Sequence, residues 1–340
     1  MIFKLLSRTG NSGEAGRKSL RILLVIMALT GIMSYQNCYG QAKCPAILVD
    51  LVLGEPVSLD YALEDIVKSR IVYLGEHHTI ARHHKFQLDI IKGLSEKGVE
   101  LAVGLEMFST EQQQALNEWS QSRAKIDDLA AKLGVEKWTN LKDYSEILEY
   151  AREVEAPILG LNAPDALVRK VAREGLEGLT EAQQKGIPKD VDDINPQYEK
   201  LLRLKLRVHK AFQEKKLERI ILAKALRDSV MSKTILDFLE TPAAKGRTMI
   251  VIAGGGHINY GFGIPERVSK YMDAPYRILL PSESGELVLT EQELRHAAPI
   301  EITHADLGFI RTRIADYLSV LPLVEDSKMP EPDMIQAELR

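Results

Sequence analysis

The sequence predicts an α/β fold: a mainly parallel central sheet flanked by helices, with an all-helical lid inserted between two strands. Three observations lead there. Short apolar runs alternate with amphipathic stretches, the layering of α/β proteins. Four of those runs are apolar almost throughout, as strands buried on both faces of a parallel sheet are. From about Pro164 to Gly246 there is no strand candidate.

Taken in order, the first element is a leader. Lys4, Arg8, Arg17, Lys18 and Arg21 stand against one acid, Glu14, ahead of an apolar run from Leu23 to Met33. That run is shorter than the ~20 apolar residues a bilayer span needs. Basic residues, a short apolar core and then the small residues Gly40 and Ala42 predict a secretory signal over 1–42 cut after Ala42, the alternative being an uncleaved anchor helix. The expected location is therefore the periplasm or the envelope membrane. Cys38 follows Asn37 and Cys44 follows Lys43, so neither suits lipidation. Cleavage would leave Cys44 alone and exclude a disulfide framework.

The predicted strands are 46–53, 70–75, 100–107, 156–162, 248–254 and 276–282. Between the first two, Ser58 or Asp60 can cap a helix whose inward face is Tyr61, Leu63, Ile66 and Val67. After the second, Phe86, Ile90 and Leu94 step by four, and Gly98 can end the helix. In the strandless interval, DALVRKVAREGL, YEKLLRLKLRVHKAFQEKK and LERIILAKALRDSVMSKTILDFLE read as helices. In the last, Leu222, Leu226 and Val230 form one stripe and Met231, Ile235 and Leu239 another. Pro188 and Pro196 separate the first helix from the second. The expected domains are a core of 43–163 plus 247–325, a lid of 164–246, and a disordered tail of 326–340.

Of the 340 residues, 27% are charged, with a net charge of −4 and no block of five like charges. Nucleic acid is thereby excluded as a partner, since such binders usually carry a basic face.

The apolar runs end in a pattern. The second leads into Glu76, His77 and His78, the third into Glu106, the fourth into Asn162, and the fifth into Gly254–Gly255–Gly256, His257 and Asn259. In a parallel sheet these ends share one rim, where open α/β folds bind ligands. Four of the eight histidines crowd into 77–84; His84 lies three residues before Gln87, and His83, ~100° around the helix, is expected to be a dispensable helix-start residue. The glycine turn lets the backbone take positive φ or come close to a ligand. It is neither a phosphate loop, as no Lys-Ser/Thr follows, nor a dinucleotide fingerprint. There is no G-x-S-x-G, H-E-x-x-H or C-x-x-C. The candidate catalytic set is Glu76, His78, Glu106 and His257, and the candidate metal ligands are Glu76, His78 and His257. Such a set suits zinc, manganese, iron or cobalt, and equally metal-free acid/base work with a glutamate fixing a histidine tautomer.

VYLGEHH…HHKFQ, GLEMF, LNAP, RDSVM and IAGGGHINYGFGIPERV together resemble the ChaN-like haem-binding uptake family of the Tiki superfamily, which also holds erythromycin esterases and TraB pheromone-shutdown proteins. The resemblance runs from about Ile47 to ADYLSVLP (315–322). Its paired G-x-x-H motifs correspond to Gly75–His78 and Gly254–His257, with Glu76 and Glu106. It implies haem binding by an exported bacterial protein in iron uptake. A haem pocket between lid and rim would draw axial or flanking contacts from His209, Tyr260 and His84. The alternative is a metal-dependent esterase or peptidase built on the Glu/His set, since haem binding gives no reason for two rim carboxylates. The expected partners are haem, or a small-molecule or peptide ligand, and the membrane through the N-terminus. A homodimer is left open.

Overall fold

The apolar runs form one eight-stranded sheet in the computed structural model, which describes residues 47–78, 80–133, 141–206, 213–284 and 302–322. The expected leader, both cysteines, His209 and the tail lie outside the described residues.

In chain order the strands are β1 (Ile47–Asp50), β2 (Glu55–Val57), β3 (Ile71–Glu76), β4 (Leu101–Ser109), β5 (Ile158–Asn162), β6 (Thr248–Gly254), β7 (Tyr276–Ser284) and β8 (Tyr317–Pro322). The helices are α1 (Leu59–Ile66), α2 (Ala81–Glu96), α3 (Gln113–Ser120), α4 (Ile126–Leu133), α5 (Ser145–Glu153), α6 (Asp165–Glu174), α7 (Glu181–Lys185), α8 (Pro196–Leu206), α9 (Glu214–Leu239), α10 (Ile264–Ser269) and α11 (His304–Leu307). Strand order is β2-β1-β8-β7-β3-β6-β4-β5. β8, β7, β3, β6, β4 and β5 run parallel, while β1 is antiparallel to both its neighbours. The fold is thus the mostly parallel sheet with flanking helices that the apolar runs predict.

Two strand expectations change. The run 46–53 is not one strand: Asp50 Oδ1 accepts the N–H groups of Val52 (2.8 Å) and Leu53 (3.1 Å), and Gly54 takes φ +71°, so the chain turns back into β2. β8, inside the ADYLSVLP stretch, was absent from the predicted set. It joins the parallel block to the hairpin.

Alternation along the strands divides the core. Val72, Leu74, Val103, Leu105, Ile250 and Ile252 face α1, α2 and α5 through Ile66, Ile90, Leu94 and Ile147. Tyr73, Ala102, Met249, Val251 and Ala253 face Met231, Ile235 and Leu239 of α9 and Ile264 and Val268 of α10. Each fully buried aliphatic contributes about 1.5–3 kcal/mol. α1 is capped by Ser58, whose hydroxyl accepts from Tyr61 N–H, but Tyr61 itself points to solvent and Ala62 takes its expected inward place. α2 ends as predicted, with Gly98 at φ +80°.

Between Asn162 and Thr248 the described residues are helical or in turns. Pro196 opens α8, where its missing N–H costs nothing. α9 has two roles. Its second half covers the sheet face, and its first half packs Ala223 and Leu226 against Val171, Leu179 and Val191. Among the described residues no helix is long and apolar enough to cross a membrane.

Candidate functional site

β3, β6 and β4 are adjacent and parallel, with Glu76 opposite Gly254 and Leu105 opposite Ile252. Their carboxyl ends therefore deliver Glu76, His78, Glu106 and His257 to one place.

The first half of the site hangs on Glu76, 4% exposed. Its Oε1 meets His78 Nδ1 at 2.5 Å and accepts the Tyr144 hydroxyl. Its Oε2 accepts Gln87 Nε2 at 2.8 Å, and His84 Nε2 lies 3.4 Å away without hydrogen-bond geometry. Burial would raise this carboxyl, but the contacts with His78 and His84 prevail and hold it at about 2. Burial and the Glu76 charge push the Tyr144 phenol well up, so Tyr144 remains a donor.

The second half hangs on Glu106, 1% exposed. Its Oε1 accepts Arg227 Nη2 at 2.9 Å and meets His257 Nε2 at 3.0 Å, and its Oε2 accepts Gly254 N–H at 2.7 Å. Arg227 Nε also donates to Asn162 Oδ1 at 3.2 Å, tying in the end of β5. His257 Nδ1 pairs with Asp228 Oδ1, and Asp228 Oδ2 accepts the Tyr198 hydroxyl at 2.8 Å. Burial opposes the charge on Glu106 and Asp228, yet His257 heads the groups that lower both carboxyls. His257 is thus gripped from both ring nitrogens.

His78 joins the halves, its Nε2 3.8 Å from Glu106 Oε1. With Nδ1 directed at Glu76, the hydrogen-bond pattern assigns the proton to that side and leaves Nε2 as the basic nitrogen. A third of the His78 side chain is exposed, against 7% for His257, so His78 is the imidazole a ligand can reach. The glycine turn serves close approach, not unusual φ: none of Gly254, Gly255 and Gly256 has positive φ. A Cβ on Gly254 would lie 3.2 Å from His78 Nε2, and one on Gly256 would lie 3.4 Å from Lys224 Nζ.

The remaining expected residues divide. His84 is 3% exposed, its ring 4.1 Å from that of Tyr144, so it supports Glu76 from below and shows no face to solvent. His83 is wholly buried, not a solvated helix-start residue, and its Nδ1 accepts His77 N–H at 2.9 Å. Tyr260 is half-buried with φ 64°, its N–H donating to Ile314 O and its carbonyl accepting from Thr312. Among the described residues no group of three or more His, Cys, Asp or Glu is arranged to hold a metal ion. The oxygens of Glu76 and Glu106 are turned to protein donors instead.

Sequence reasoning gave no role to Tyr144, Tyr198, Arg227 or Asp228. Asp228 had a signal. It precedes Met231 by three and Ile235 by seven, so it extends an apolar stripe with a carboxylate. Tyr144, in a 3-10 turn, had none.

A family model described as haem-binding uptake, Tiki superfamily, ChaN matches residues 62–268. A solved structure titled cofacial heme binding to ChaN of Campylobacter jejuni superposes with a TM-score of 0.60 at 18% identity, covering 81% of this chain and 96% of that one. An erythromycin esterase in its open conformation gives 0.39 at 16% identity, over 66% and 72% of the two chains. The Arabidopsis thaliana protein RETICULATA-RELATED 5, chloroplastic, is 25% identical over 269 residues. That match covers 71% of this chain but only 34% of the plant protein, so the chain spans about a third of that relative's length.

Proposed function

Because the chain belongs to the ChaN-type haem-binding uptake family of the Tiki superfamily, we propose that it binds haem at the carboxyl rim of its sheet. The observation that carries this reading is the family match, which spans the whole rim from Glu76 to His257.

The residues present fit such a ligand. Haem needs an apolar wall, an axial donor and cations near its edge. Tyr198, Leu201, Leu202, Ile221 and Phe262 form an apolar cluster, and Tyr260 packs beside it. Tyr260 is the axial candidate we favour. A left-handed φ on a tyrosine costs about 1–3 kcal/mol, and backbone held so firmly against its preference is a mark of functional placement. His209 remains a second candidate, and His84 would act through Glu76. Bound haem would supply redox-active iron, while the chain would supply the wall, the donor and the exclusion of water.

Haemin titration of the purified protein tests this. A Soret shift at micromolar haemin is expected, weakened by Tyr260→Phe or His209→Ala. No shift in the parent protein sinks the reading. The orientation of His78 by Glu76, with a third of the side chain exposed, also suits a general base in ester or peptide hydrolysis without a metal. Turnover lost in His78→Ala and kept in Tyr260→Phe would put that reading first. Export and a role in iron uptake belong to the same proposal. They draw on the basic and apolar pattern of residues 4–33, and recovery from the cytosolic fraction would argue against them.

A further inference from the structure

Two non-glycine residues among the described ones take positive φ, and they are held in different ways. Glu155, at φ 53°, follows α5, and its N–H donates to Arg152 O at 3.2 Å, a local bond of the kind that closes a helix. Tyr260, at φ 64°, draws its support from a segment 52 positions further on. Its N–H donates to Ile314 O at 2.8 Å, and its carbonyl accepts the Thr312 hydroxyl at 3.1 Å. Gly261 and Gly263 also take positive φ, at no steric cost, whereas a tyrosine resists it. Such a backbone persists only where its surroundings over-determine it, and here both of its polar groups are answered by residues 312–314.

The same segment reaches the apolar wall. Leu307, Phe309 and Ile310 pack against the buried cluster built from α8, Ile221 and Phe262. Lys200 Nζ of α8 stands 4.4 Å from the centre of the Phe309 ring. Past Ile314 the segment is fastened to the sheet. Asp316 N–H donates to Ile278 O at 2.9 Å, and Asp316 Oδ2 accepts Ile278 N–H at 2.8 Å. One end is therefore pinned to β7, while the other lies across the wall. All of it falls after residues 62–268, the stretch that the family model matches.

We infer that residues 307–314 are a brace belonging to the haem pocket: they complete its apolar wall and fix Tyr260, the axial donor, in its left-handed backbone. Thr312 is the positioning residue of this brace and acts through the Tyr260 carbonyl. The inference deepens the haem reading and rests on it. The hydrogen-bond pattern explains why a tyrosine can stand where glycine would be easier. With the hydroxyl of Thr312 gone, the carbonyl of Tyr260 loses that partner and the turn is freer to leave αL, which carries the phenol away from the place it holds. Thr312 itself is exposed, so its removal should leave folding nearly intact.

The experiment titrates the full chain with haemin and follows both the Soret band and the visible charge-transfer band of ferric iron bound to a phenolate. Thr312→Val keeps the side-chain shape and removes the hydroxyl. It should weaken haemin binding about three- to tenfold, the worth of one hydrogen bond, and diminish the phenolate band. Thr312→Ser should restore both, and the unliganded variants should unfold at the parent's temperature. Lys233→Ala, on an exposed lysine paired with Asp237, should behave as the parent. Hydrogen exchange gives a second reading on the unmutated chain: haemin should slow the amides of 307–314. If Thr312→Val does not fold, that measurement decides alone. A Soret shift in the parent with exchange over 307–314 unchanged overturns the brace and leaves the haem reading standing, as does a Thr312→Val protein with the parent's affinity and phenolate band. No Soret shift in the parent removes the haem reading and the brace together.

Discussion

At the carboxyl rim Glu76, Glu106 and Asp228 are each at most 4% exposed, whereas at the amino rim Asp65 and Arg277 keep roughly a third of their side chains in water. Both rims are crowded with charge. At the amino rim Arg277 Nε and Nη2 clasp Asp65 at 2.6 and 2.8 Å, Tyr317 adds a hydroxyl at 3.0 Å, and Arg313 pairs with Asp316. A groove of about 450 Å³ lies there, lined by Val52, Leu53, Tyr61, Lys68 and the Asp65 pair. At the carboxyl rim the charged side chains instead bridge three parallel strands and α9. Chemistry is thus marked here by coupling between buried carboxylates and imidazoles, not by the size of the opening. A large cleft with exposed, separately paired ions is ordinary surface.

Removing a carboxylate from each rim should expose that contrast. Glu106→Ala should have the largest effect, because it removes the one buried carboxylate that Arg227, His257 and the Gly254 N–H share. Breaking a buried ionic network from one side costs about 3–5 kcal/mol. Urea denaturation should show a loss of that size. A loss below ~1 kcal/mol would mean that the carboxyl rim is no more coupled than the other, and the distinction would collapse.

Much of that rim could be read beforehand, because strand burial and strand polarity are both written locally. Uninterrupted apolar runs ending in Glu76, Glu106 and Gly254 need only be parallel and adjacent to meet, and they are. Where pairing is set by tertiary placement, local spelling carries no warning. Tyr144 reaches Glu76 across 68 positions from a short turn. The reversal at Asp50 depends on one carboxylate bonding two N–H groups, which the apolar spelling of 46–53 hides. His83 was misjudged for the same reason. Its place on the helix suggested solvent, but the chain leading from His77 folds back over it and donates an N–H to its ring.

His83 supplies the intermediate effect. Burial, and next the neighbouring His77, hold its folded value at about 3, whereas an unfolded histidine sits near 6.5. Protonation at Nδ1 would also break the bond from His77. A depressed folded value gives stability that is intact above pH ~6.5 and lost as the pH falls towards 3. Between pH 7 and pH 5 this one group should remove about 2 kcal/mol. Glu76, also depressed, gives up its share only at lower pH, between its ordinary carboxyl range and about 2. Urea midpoints at pH 7 and pH 5 should therefore draw together in His83→Gln. If parent and variant show the same pH dependence, the region beneath Glu76 is wetter than its burial implies.

The smallest effect belongs to the amino rim. Asp65→Ala removes a bidentate contact and a tyrosine hydroxyl bond, so geometry favours it over most surface pairs. Yet Arg277 and Tyr317 can both turn to water when Asp65 goes, and neither is left as an uncompensated buried charge. The loss should stay near 0.2–1 kcal/mol and shrink further in 0.5 M salt, because exposed pairs are screened. Glu106→Ala should be almost indifferent to the same salt. A loss above ~2 kcal/mol for Asp65→Ala, unchanged by salt, would show that the groove side is as tightly wired as the strand ends. It would then have to be treated as a second centre rather than as the sheet's outer margin.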